Sequence, residues 1–152
     1  MILNTNFSSS GQSLVEVVVT TAIAMLILVA LVAGATVAVR NIQYSRTRAR
    51  AMELNRQAAE WLRSERAKGW SEFCDRFESS TYCLNNFNFN NPGSCGVGEL
   101  VDNDFKREAS FTKERNPSNP EVIDKVTVTL TTSWTDSQGE HREEVVTYLT
   151  RW

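Results

Sequence analysis

The chain has 152 residues, room for one domain and an additional element. Its formal net charge is −2, from 16 basic and 18 acidic side chains, so no global basic field marks a nucleic-acid binder, and no direct nucleic-acid contact is expected. Hydrophobic residues make up 41% of the chain but are unevenly placed: residues 17–39 run for 23 positions without a charge, and the rest of the chain is mostly polar.

Residues 1–11 are short and polar, with no Lys or Arg and a Ser8-Ser9-Ser10-Gly11 end. A secretory signal places its apolar stretch before a small-residue cut site. Here the apolar stretch comes after the small residues, so a cut at that site leaves it on the mature chain.

The uncharged run of 23 residues spans ~35 Å as a helix, enough for a bilayer core. Its Val and Thr content is a weak helix signal in water. In lipid the backbone must satisfy its own hydrogen bonds, which leaves helix as the choice for a single span. No proline interrupts it, and Gly34 is its one soft point.

Residues 40–68 are rich in Arg, Ala, Glu and Gln, hold no Gly or Pro, and stop at Lys68-Gly69. Ile42, Ala49, Met52, Ala59 and Leu62, spaced by seven and three, define the expected apolar face. Nothing punctuates the join at Arg40, so the expectation is one helix over residues 12–68, ~85 Å long. Residues 12–39 form its apolar half, which needs lipid or other subunits around it, and 40–68 its amphipathic half.

Residues 69–104 hold Trp70, Phe73, Phe77, Tyr82, the three cysteines and an Asn-rich tract ending in Asn91-Pro92-Gly93. That composition reads as a loop with turns. Strand signals fill residues 105–152. Residues 105–113 form a candidate strand, with a break after it at Asn116-Pro117-Ser118-Asn119-Pro120. In residues 122–134, Val126, Val128, Leu130 and Trp134 alternate with Lys125, Thr127, Thr129 and Thr131. A hairpin connection at 135–140 leads to a partner strand over 142–152. The expected fold class is α+β: a long N-terminal helix packed on a small antiparallel sheet of about three strands.

The segment Gly11-Gln12-Ser13-Leu14-Val15-Glu16, running straight into the apolar stretch, resembles the N-terminal signal of type IV pilins and type II secretion pseudopilins. The resemblance implies cleavage by a prepilin peptidase between Gly11 and Gln12, N-methylation of the new amine on Gln12, and an assembly role for Glu16, the fifth mature residue. The order of long helix then sheet extends the likeness over the whole chain, although Gln12 stands where Phe or Met is commoner. Softer likenesses to PilV-type minor pilins lie in Trp61-Leu62-Arg63-Ser64-Glu65-Arg66, Tyr82-Cys83-Leu84, Asn91-Pro92-Gly93-Ser94-Cys95, and the Trp134 and Trp152 segments. They favour a minor over a major subunit. The implied partners are other pilin subunits through the N-terminal helix, the peptidase, the membrane and an assembly platform. The implied product is a pilus or pseudopilus.

Glu16 makes the same point physically. A carboxylate in a lipid-spanning helix costs roughly 2.5–3.5 kcal/mol at the helix centre and less near the interface, so it needs a partner. The resemblance supplies the free amine of Gln12 in a neighbouring subunit. Charge bias taken alone orients the chain the other way: Arg40, Arg46, Arg48 and Arg50 lie after the span and nothing basic precedes it. The family topology, with the leader inside and the head extracytoplasmic, is the expectation adopted, and it places the head at the cell surface once assembled.

Of the three cysteines, Cys83 and Cys95 enclose eleven residues and are the expected disulfide. A bridge from Cys74 to either, or three reduced thiols, are the alternatives. Asp102-Asn103-Asp104 offers oxygen ligands but lacks the EF-hand spacing, so no metal is expected there. His141, the single histidine, sits beside the 135–140 turn with Asp136 and Ser137, and reads as part of a hairpin. No catalytic cluster and no cofactor site is visible, which disfavours an anchored enzyme. The rival reading is a single-pass, surface-binding module that does not polymerise.

Overall fold

The computed structural model describes residues 10–151, with side chains described from residue 14. Most of the leader, residues 1–9, and Trp152 lie outside the described residues, and of Gly11 and Gln12 only the helical backbone is described. The chain divides into two units, Met1–Ser45 and Arg46–Trp152.

The first unit is helical. Its described residues, 10–45, belong to α1, Ser10–Lys68, a helix of 59 residues that ends at the lysine the sequence indicates. Arg66 and Lys68 in its last turn complement the negative end of the helix dipole. Gly69 then breaks the path with an extended backbone, φ 164 and ψ 131.

The second unit packs the end of α1 on a sheet. A short helix α2, Trp70–Asp75, comes directly after Gly69. The strands are β1, Thr81–Cys83, β2, Phe105–Asn116, β3, Asn119–Asp136, and β4, Gly139–Thr150. They lie in sequence order, β1-β2-β3-β4, with antiparallel neighbours throughout. The fold is therefore α+β as expected, with four strands rather than about three. The extra one is β1, three residues long, from a tract whose Asn, Pro and Gly content signals loop. The helix α2 falls in the same tract. Both are too short to leave a periodic signature.

The strand alternation is the expected one. Val126, Val128, Leu130 and Trp134 of β3 are buried, together with Phe105, Ala109 and Phe111 of β2 and Leu149 of β4. Pro120 lies inside β3 instead of ending a break. The β2–β3 register slips at Glu114/Arg115 and at Arg115/Asn116 beside it, where a residue with no N–H cannot serve a regular ladder.

The helix face differs from the expectation. Ala59 and Leu62 are buried, but Ile42 and Met52 are about half exposed and Ala49 is exposed. The stripe that meets the sheet is Ala51, Leu54, Asn55, Ala58, Ala59, Leu62, Glu65 and Arg66. These spacings of three and four match the true helical period. The stripe eluded the pattern because three of its members are polar, each with a partner. The Asn55 amide, fully buried, donates to the Glu143 carbonyl at 2.9 Å and accepts from the Thr132 hydroxyl at 2.7 Å. Glu65 accepts from Lys68 at 2.5 Å and from Arg76, joining α1 to the end of α2. The Arg66 guanidinium donates to the Thr150 carbonyl at the end of β4.

Two apolar clusters fill the space beneath the sheet. The larger joins Ala58, Leu62, Phe73, Phe77, Tyr82, Phe111, Val126, Val128 and Leu130, among others. The smaller joins Ala51, Leu54, Phe105 and Trp134. Lys113 fixes α2 over the larger one: its ammonium donates to the Cys74 and Phe77 carbonyls at 2.8 and 3.0 Å, satisfying acceptors freed where α2 ends.

Asn55→Ala removes the amide and leaves the buried Thr132 hydroxyl without its acceptor. The expected loss is about 1–3 kcal/mol in urea unfolding of the full chain. An unchanged midpoint would show that the Asn55 link contributes nothing.

Candidate functional site

Within the first unit the apolar residues are exposed on every side of the helix, among them Leu14 at 68%, Leu26 at 71%, Val29 at 68% and Val39 at 53%. The hydroxyls in this stretch turn inward to the backbone. Thr20 donates to the Glu16 and Val17 carbonyls at 2.8 and 3.0 Å, Thr21 to Val17 at 2.9 Å, and Thr36 to Ala33 at 2.8 Å. Polar groups satisfied within the helix are what a lipid-facing segment requires. A Cβ built at Gly34 meets nothing within 4 Å, so the chain's own packing does not require glycine there. The helix is long and apolar enough to cross a membrane.

Glu16 lies on the exposed surface near the start of this helix. It is the only acidic residue among the first 45, and Arg40 is the only basic one. These are 24 residues apart, ~36 Å along a helix, far beyond ion-pair reach. No basic side chain of the first 45 residues is therefore a partner for Glu16. Gly11 and Gln12 lie in the opening turn of α1.

Of the four arginines beyond the span, two are engaged within the second unit. Arg48 pairs with Glu143 at 2.6 Å, and Arg50 with Asp102 at 2.8 and 2.5 Å. The Asp102-Asn103-Asp104 segment is a turn in which Asp102 and Asn103 take left-handed φ values of 52 and 64. The Asp102 carboxylate serves Arg50, and no group of three metal-ligating side chains is assembled among the described residues. His141 lies 2.9 Å from Asp136 and stacks on Trp134, with centroids 5.3 Å apart. The Gln138 backbone N–H and His141 together hold the Asp136 carboxyl below its ordinary value.

The disulfide joins Cys83, the last residue of β1, to Cys95, with Cα atoms 4.8 Å apart. Cys74 is free and buried on α2, and burial pushes its thiol up. The enclosed loop folds back along β1: Cys83 N–H donates to Asn91 at 2.9 Å, and Gly93 N–H, at φ 99, donates to Thr81 at 2.8 Å. Carboxylates hold its far end, Glu108 accepting from Cys95 N–H and Glu99 from Gly96 N–H, both at 2.7 Å.

Arg107 is the residue that sequence reading missed. It is 2% exposed and faces the core from β2. Its guanidinium donates to the Leu84 carbonyl at 2.9 and 2.7 Å and to the Leu54 carbonyl of α1 at 3.3 Å, with Phe87 centred 4.3 Å away. It thus ties the disulfide loop, the sheet and the helix together. Burial lowers its pKa to about 10, which leaves it charged at neutral pH. The signal was present: Arg107 shares the phase of Phe105, Ala109 and Phe111.

Set against family models, curated proteins and solved structures, the chain matches none. The fold and the site define a disulfide-bonded α+β head beyond one candidate membrane span.

Peptide mapping without reduction is expected to recover one linked pair, Cys83 with Cys95, and a free Cys74. Replacing both bridged cysteines with serine should lower stability by roughly 3 kcal/mol, from restored freedom in a short loop. A Cys74 bridge, or no loss of stability, would contradict this.

Proposed function

We propose that this chain is a minor type IV pilin-like subunit, cut between Gly11 and Gln12 and N-methylated on Gln12 by a prepilin peptidase. It assembles through its N-terminal helix into a pilus or pseudopilus. Glu16 carries the reading. A lone carboxylate on an apolar helix, with no side-chain cation within reach on its own segment, suits neutralisation by the free amine that cleavage creates on a neighbouring subunit. That pairing would draw a subunit in and set its axial register.

Three observations support it. The apolar residues of α1 between Leu14 and Val39 are exposed on all sides, so that stretch needs lipid or homologous helices around it. Past the span, Ile42 and Met52 are also exposed. The Cys83–Cys95 disulfide suits an oxidising compartment, and so a head outside the cytoplasm with the leader inside. The subunit is a substrate of the peptidase and carries out no chemistry of its own in this account.

Glu16→Ala should leave the chain processed and membrane-inserted while reducing its incorporation into fibres at least about tenfold, the equivalent of ~1.4 kcal/mol. Sheared-fibre fractions and co-purification with partner subunits measure this. Normal incorporation would favour the rival reading, an anchored binding module that does not polymerise. Replacing Gly11 with a bulky residue should leave uncut precursor. A precursor that matures regardless removes the cleavage assignment.

A further inference from the structure

The two edges of the sheet are treated differently. The outer edge of β1 is closed, because the disulfide loop supplies its hydrogen bonds: Cys83 N–H to Asn91 and Gly93 N–H to Thr81, with an isolated bridge between Tyr82 and Pro92. The outer edge of β4 is not paired with any strand among the described residues.

Three contacts fix the phase of that edge. The β3–β4 hairpin turns on Ser137 and Gln138, so Asp136 and Gly139 form the first ladder pair. Arg151 N–H donates to the Asp124 carbonyl at 3.0 Å, an even number of residues further on. The Thr150 carbonyl points the other way, where Arg66 takes it. Odd-numbered residues of β4 therefore direct their backbone groups at β3, and even-numbered ones direct them outward. Arg66 closes the end at Thr150, and the stretch from Glu140 to Tyr148 stays open.

The side chains beside the open groups are exposed and ordered by chemistry: Glu140, Arg142, Glu144, then Val146 at 49% and Tyr148 at 63% exposure. Among the described residues Glu140, Arg142 and Glu144 have no ion-pair partner, whereas Glu143, on the opposite face, has Arg48. Alternating charges also deter casual edge pairing. They select for one complementary strand.

We propose that the β4 edge is a docking site for an extended segment of a different protein, added as a fifth, antiparallel strand. Its chemistry is set by the edge: basic residues opposite Glu140 and Glu144, an acidic residue opposite Arg142, and apolar residues opposite Val146 and Tyr148. A second copy of this chain is a poor occupant. Its β1 edge is closed by its own disulfide loop, so it offers no strand edge with the complementary charge order.

The test uses the full chain in detergent micelles and a synthetic peptide of about ten residues, a usual strand length. Alternate positions carry Val, Val, Lys, Glu and Lys, with Thr between them. A second peptide has the charges reversed. The first should bind saturably at one per chain, and the reversed one roughly tenfold more weakly, as three cross-strand pairs turn repulsive. Hydrogen exchange should show the Arg142, Glu144 and Val146 amides fast in the free chain and protected by the peptide, with the odd-numbered amides unchanged. Val146→Pro, which removes an outward N–H that the β3–β4 ladder does not use, should abolish binding and keep the fold by circular dichroism. Absence of saturable binding, equal affinity for both peptides, or binding without protection of alternate amides would each overturn the proposal. The exchange measurement on the unaltered chain decides the matter even where the proline variant fails to fold.

Discussion

Apolar side chains exposed all round one stretch of helix are the constraint on which the rest depends. Leu14, Leu26, Val29 and their neighbours present surface that water penalises at about 25 cal/mol per Å². The threonines that interrupt the stretch return their hydroxyls to the backbone. Such a segment needs a bilayer, homologous helices, or each in turn. In the proposed function the single acid on it acts as an address: Glu16 is tolerated where a cation meets it, and the chain's first 45 residues offer no basic side chain nearer than Arg40.

The head answers a different problem, holding a helix of mixed character on a small sheet. It does so with buried polar links placed among apolar contacts. Asn55 joins α1 to β3 and β4, Glu65 joins it to the end of α2, and Arg66 takes the last carbonyl of β4. Arg107 works from the sheet side, reaching both Leu54 and Leu84. A buried guanidinium with no carboxylate partner among the described residues is held by carbonyl oxygens and the Phe87 ring. The disulfide and Arg107 thus secure the same loop, one covalently and one through hydrogen bonds. That loop closes one sheet edge, whereas the β4 edge is unpaired among the described residues.

Much of this was legible in the residues. The uncharged run, the absence of a break at Arg40 and the Lys68-Gly69 stop define α1 almost to the residue. The Val126, Val128, Leu130, Trp134 alternation gives the buried face of β3, and the short Cys83–Cys95 loop is closed as expected. What escaped has a common physical cause. The sheet-facing stripe of α1 includes Asn55, Glu65 and Arg66, and β2 buries Arg107, so a reading weighted to hydrophobicity chose Ile42, Ala49 and Met52 and passed over the arginine. Partnered polar groups are core residues that hydropathy cannot see. α2 and β1 were missed because six and three residues are too few for either period to show. The candidate site was legible as a motif, whereas Glu16's isolation is a matter of distance along the helix.

The most direct test of the account is the intact mass and amino-terminal sequence of the protein extracted from the membranes of cells that hold its own processing peptidase. The account predicts a chain beginning at Gln12, one methyl group heavier at its amine, with the apolar helix retained. A chain that still begins at Met1, or one cut beyond residue 39 so that the helix is lost, would contradict it.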